Sequence, residues 1–142
     1  MPKYKFLEDI AIADIAYEAY GKNLNVLFEN AALAILEMSA DIKTIESKQK
    51  IEFNLENKKL DNLLYDFLSE ILFLKDSKYM IFKEARVEIK EGKINKLNAV
   101  LGGETINPKK HRLDNDIKAI TMHLFRLEKT NNGYSARIVV DI

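Results

Sequence analysis

From residue 79 to its end the sequence reads almost entirely as β-structure, and it reads so in pairs. YMIFKEARVEIK and KINKLNAVLGGE are separated by Glu91–Gly92, a hairpin signal. The segments IKAITMHLFRLE and YSARIVVDI flank KTNNG, which places a second hairpin turn at Asn132–Gly133. Between the two hairpins, NPKKHRLDND (107–116) is a polar loop opened by Pro108. A chain that spends its second half on hairpins needs its first half to cover the apolar faces they present.

The first half supplies that cover. KYKFL (3–7) and the stretch running to Tyr20 read as strands, with Gly21 closing the second. The period then changes: Leu24, Leu27, Phe28, Ala31, Ile35 and Met38 fall at helical spacing behind Asn23, a good N-cap. KIEFNLE alternates Ile51, Phe53 and Leu55 against polar neighbours, as a half-buried strand does. A second helix follows, with Leu60, Leu63, Leu64, Phe67, Leu68 and Ile71 on one face. The expected fold is α+β: about seven strands in mostly antiparallel sheets with two helices packed on them, in one domain over residues 1–142.

Composition narrows the function more than it defines it. The 142 residues are 47% hydrophobic and 31% charged, an ordinary globular balance. Twenty-two basic residues offset twenty-two acidic ones, so no net field draws in nucleic acid, which argues against direct RNA binding. Without cysteine there is no disulfide, thiolate metal site or cysteine nucleophile. No apolar run reaches the roughly 18 to 20 residues of a membrane span, and the first residues carry no secretory core, so a cytoplasmic location is expected. Phosphate-binding loops, HExxH and GxSxG elbows are all missing. His111 falls in the polar loop and His123 in a strand, and each reads as a surface or satisfied residue. The four basic residues of NPKKHR read as a solvated loop, with contact to a phosphate or an acidic partner as the alternative.

Three polar residues sit out of place in apolar strands: Asp14 inside IAIADIAYEAYG, Lys118 after Ile117, and Asp141 after RIVV. In the last strand Ile138, Val140 and Ile142 share one face, leaving Val139 and Asp141 on the other. The carboxylate of the last residue, Ile142, falls close to that of Asp141. Clustered carboxylates repel unless a hard cation held by oxygen ligands neutralises them. The alternative is that Asp14 bonds backbone at a strand edge while Asp141 frays into solvent.

ADIAYEAYGKNLNVLFENAALAILEMSAD (13–41) resembles the N-terminal signature of the archease family: a strand ending in an aromatic-glycine pair, then a helix carrying Phe-Glu-x-Ala-Ala. NLLYDFLSEILFL (62–74) resembles the second helix of that family, and IKAITMHLF with the terminal ARIVVDI its closing hairpin. The resemblance spans nearly the whole chain in order. It implies an accessory protein, not an enzyme, that activates the RtcB-type RNA ligase of tRNA splicing. Such proteins promote the ligase–guanylate intermediate, allow multiple turnover and broaden nucleotide use. The resemblance further implies a divalent-metal site, associated with calcium, in which Asp14 and Asp141 match the family's aspartates. Lys118 matches a lysine needed for activation. Where the family has Asp-His-Thr-Ala-Asp this chain reads IAIAD, so Ala11 and Ile12 replace the His and Thr. The first aspartate is missing in register, and Asp9, one residue upstream, is its nearest replacement as a metal ligand. A second role implied by the family is that of a chaperone or modulator of tRNA-modifying enzymes such as a tRNA methylase. A third reading, a metal-dependent hydrolase using the acidic pair, needs a base that neither histidine supplies convincingly.

Overall fold

The computed structural model describes residues 2–7 and 14–142. Its elements run β1 (Tyr4–Leu7), β2 (Asp14–Gly21), α1 (Leu24–Ser39), a 3-10 turn (Ile42–Thr44), β3 (Gln49–Asn57), α2 (Leu60–Lys78), β4 (Met80–Lys90), β5 (Asn95–Thr105), β6 (Ala119–Thr130) and β7 (Gly133–Asp141). The strands form two antiparallel sheets, ordered β1-β2-β7-β6 and β3-β5-β4. Each helix packs against both sheets: α1 against β2 and β4, α2 against β6 and β3. Both helices therefore need wide apolar surfaces, and α1 buries Ala32, Ala34 and Leu36 besides its amphipathic stripe.

Local signals fix the boundaries. Asn23 caps α1 as its chemistry requires, its Oδ1 accepting from the Val26 N–H at 2.9 Å. Gly21 ends β2 because a Cβ there would run into the backbone of Leu27. At the centre, the Phe67 ring of α2 stacks on Phe53 of β3 (6.2 Å) and tilts against Phe28 of α1 (5.8 Å). Tyr17 of β2 is fully buried and its hydroxyl donates to the Ala31 carbonyl at 2.9 Å, which ties the four-stranded sheet to α1. Burial pushes that phenol well above its ordinary pKa.

The turns depart from the two-residue reading in one case. The first hairpin connection is four residues, Glu91–Ile94, since β5 starts only at Asn95. The Asn95 side chain closes the turn, reaching the Gly92 N–H (3.4 Å) and donating to the Lys58 carbonyl (3.1 Å). In the second hairpin Asn131 and Asn132 are the loop and Gly133 opens β7, one residue earlier than the sequence signal.

The loop between β5 and β6 is solvated only in part: Lys109 and Arg112 are exposed, while Lys110 and His111 are used within the chain. Lys110 Nζ donates to Glu104 (2.9 Å) and Glu46 (2.7 Å). The fully buried His111 ring accepts the Asn107 N–H on Nδ1 at 2.9 Å. That leaves its proton on Nε2, 3.1 Å from Glu104 Oε2 though poorly aligned with it. Further along, the Asp114 and Asn115 amides donate to the Ser39 and Met38 carbonyls at the end of α1. The loop is thereby stitched to β5 and α1 along most of its length.

Glu104 is the hub of this stitching. The Glu46 N–H at 2.6 Å and then the Lys110 ammonium hold its carboxyl down at about 2, against an ordinary 4.5. A depressed carboxyl pKa stabilises the fold above the unfolded value, and that stabilisation is lost as pH falls through the folded one. The melting temperature should therefore fall between pH 4.5 and about 2. Glu104→Gln should melt lower at neutral pH and show a flatter acid limb in thermal scans. An acid limb equally steep in both proteins would show that other carboxylates carry it.

Candidate metal and activation site

The β2–β7 register sets Asp14 directly opposite Asp141. Asp14 is the first residue of β2 and Asp141 the last of β7, so the pair closes one end of the four-stranded sheet. Directly opposite residues of an antiparallel pair have Cβ atoms about 4.5–5.5 Å apart. Both side chains are half-buried, and among the described residues neither makes an ion pair.

Lys118 meets the same end from the other side. Its backbone N–H donates to the Asp141 carbonyl at 2.7 Å, just before Ala119 pairs with Asp141 in the β6–β7 ladder. The preceding Ile117 is buried and anchors the approach, while the Lys118 side chain is exposed. The stitched loop fixes where this lysine emerges. Ile142 follows β7 and is 38% exposed. Asp9 lies outside the described residues. His123 is exposed on β6, as read from the sequence.

As a donor set, two opposed carboxylates suit a hard divalent cation and would relieve their mutual repulsion by binding one. Calcium takes six to eight oxygens, so the pair is a fraction of a complete shell. Among the described residues no group of three or more His, Asp or Glu side chains converges to hold a metal. Candidates for further ligands are backbone carbonyls and water.

One feature beside the site escaped the sequence reading. The strand β6 loses register with β7 between Thr121 and Arg126, so residues 122–125 stand against Ile138 alone. Leu124 adopts a left-handed backbone (φ 57°) there, and its carbonyl accepts from Arg137 Nε at 2.9 Å. Met122 and Leu124 are left exposed. The sequence carries a signal for it: in AITMHLFRLE the apolar residues change phase at Leu124–Phe125, inside the shifted stretch.

Comparison with known proteins agrees with this fold. The Archease protein family matches residues 4–142. The protein archease of Archaeoglobus fulgidus is 39% identical over 140 residues, covering 99% of both chains. That of Sulfurisphaera tokodaii is 38% identical over 142 residues and covers both chains completely. The solution structure of Methanobacterium thermoautotrophicum protein 1598 superposes over 100% of both chains with a TM-score of 0.84 at 28% identity. A Thermotoga maritima crystal structure, described as an archease and possible chaperone, shares the fold. Its TM-score is 0.65 at 24% identity, over 92% of this chain and 91% of that one.

Like charges directly opposite one another destabilise a sheet. With divalent cations chelated away, Asp14→Asn and Asp141→Asn should each therefore stabilise the protein, by about 0.2–1 kcal/mol in urea titrations. Destabilisation by either change would mean that the carboxylate makes a stabilising contact of its own.

Proposed function

The chain belongs to the archease family, and from that premise we propose that it activates an RtcB-type RNA ligase in tRNA splicing. In this reading it is an accessory protein of the cytoplasm, promoting the ligase–guanylate intermediate and multiple turnover without catalysing ligation itself. The observation that supports it best is the meeting of Asp14, Asp141 and Lys118 at one end of the sheet.

Each residue has a physical task. Asp14 and Asp141 would hold calcium, with Ile142 and Asp9 as further candidate ligands; the bound ion would supply positive charge that offsets the paired carboxylates. Lys118, whose backbone is pinned to Asp141 while its exposed side chain borders a surface recess with Tyr65, Phe73 and Asp76 of α2, is free to reach an anionic group of the partner, a nucleotide phosphate or a carboxylate. The balanced net charge leaves RNA contacts to the ligase. Among the described residues no helix is long and apolar enough to cross a membrane.

A chaperone or modulator of a tRNA-modifying enzyme, such as a tRNA methylase, is the second reading. It draws on the exposed apolar side chains Phe6, Phe73 and Met122, each more than half accessible.

Ligation assayed with substrate in excess over ligase separates the two. The wild-type protein should convert a single round into many. Lys118→Ala should lose most of that activation while changing stability by less than about 0.5 kcal/mol, as exposed substitutions do. Calcium should raise the melting temperature of the wild type and leave Asp14→Asn and Asp141→Asn unmoved. Unchanged ligase turnover, together with stimulation of a methylase, would favour the second reading.

A further inference from the structure

We propose that β3 is a self-pairing edge: two copies of this chain join antiparallel through Gln49–Asn57 about a two-fold axis at Phe53, making one six-stranded sheet. The other sheet edges are closed, broken or short. On α1, Glu29 and Asn25 accept the Val87 and Ile89 N–H groups of β4, both at 2.9 Å, which closes that edge. The bulge at residues 122–125 breaks β6, and among the described residues β1 spans four, Tyr4–Leu7. By contrast β3 keeps nine residues in unbroken register with β5. Among the described residues nothing outside the sheet bonds its backbone.

The side chains say what fits there. Ile51, Phe53 and Leu55 point half-buried toward the core, while Lys50, Glu52, Asn54 and Glu56 are exposed on the opposite face. With Phe53 on the axis, Lys50 faces Glu56 of the second copy and Glu52 faces Asn54, each pair occurring twice. On the other face Ile51 meets Leu55, and the two Phe53 rings meet each other. A slip by one residue sets apolar against polar along the whole strand. A slip by two in one direction opposes Glu52 to Glu52, and in the other opposes Glu52 to Glu56 and Lys50 to Lys58. Among the registers that keep most of the strand paired, the one on Phe53 is thus the one that the charges favour. Within the chain Glu56 already faces Lys96 of β5, so the second lysine would extend an alternating row. Neither Lys50 nor Glu56 has an ion pair among the described residues.

A single strand pair buries little area, so the dimer is weak and concentration-dependent. It lies in the three-stranded sheet, away from Asp14, Asp141 and Lys118, and does not depend on the ligase reading.

Sedimentation velocity from micromolar to millimolar protein tests it by charge reversal. The wild type should dimerise reversibly. Lys50→Glu alone and Glu56→Lys alone should each weaken the dimer about tenfold or more, since each opposes like charges twice. An equimolar mixture of these two variants should recover association, because the two acidic side chains of one copy then face the two basic ones of the other. The double variant Lys50→Glu/Glu56→Lys should recover it as well. Circular dichroism melts confirm that every variant is folded. A monomeric wild type throughout, single variants that dimerise like the wild type, or a mixture that stays monomeric would each overturn the proposal.

Discussion

The pairing of β2 with β7 is the interaction on which the rest depends. It joins strands from opposite ends of the chain over eight residues, from Asp14↔Asp141 to Gly21↔Tyr134. Strand β7 thereby becomes central to its sheet, and Ile138, Val139 and Val140 are completely buried. The Tyr17 hydroxyl carries the pairing into α1, and α1 carries it into the second sheet through β4. The same register that completes the core forces two carboxylates together. A one-residue slip would separate them, but it would also turn Tyr17 and Ile138 out of the core. Core packing therefore holds the acidic pair in place against its own repulsion.

The second constraint is the anchoring of the loop before β6. Glu104 gathers the Glu46 amide, the Lys110 ammonium and the His111 ring on one half of the molecule. The Asp141 carbonyl then receives the Lys118 amide on the other. A long connection is thus fixed at both ends and along its middle, and Lys118 leaves it from a defined point. Buried polar contacts confer this definition more effectively than the loop's own composition could. The charges used in anchoring are distinct from those that remain free at the sheet end.

Much of this was legible in the residues. Both helices, their buried stripes and the Asn23 cap follow from period and side-chain chemistry. The hairpins follow from Gly92 and the Asn-Gly turn, with boundaries displaced where Asn95 lends its side chain to the loop. Asp14 and Asp141 stood out as charges among apolar strand residues, and with the family resemblance they were expected at one site; only the directly opposed register was not legible, because sheet order and register belong to the tertiary structure. The bulge in β6 did leave a mark in the residues, since Leu124 and Phe125 adjoin and switch the phase of the apolar positions where the register with β7 is lost. Glu29 and Asn25 read as ordinary polar positions of α1, and only the neighbouring β4 reveals them as acceptors for an edge. His111 illustrates the limit in reverse, since a basic loop in sequence is a neutralised and partly buried one in space.

The central claim is that Asp14 and Asp141 act together as one cation-holding unit at the end of the sheet, with Lys118 beside it. Amide chemical shifts followed by NMR during a calcium titration test this most directly. Saturable shifts should concentrate at residues 14–16, 117–119 and 139–141, and should vanish when either aspartate is replaced by asparagine. Shifts centred instead on the exposed acidic residues of β3, or none at millimolar calcium, would contradict it.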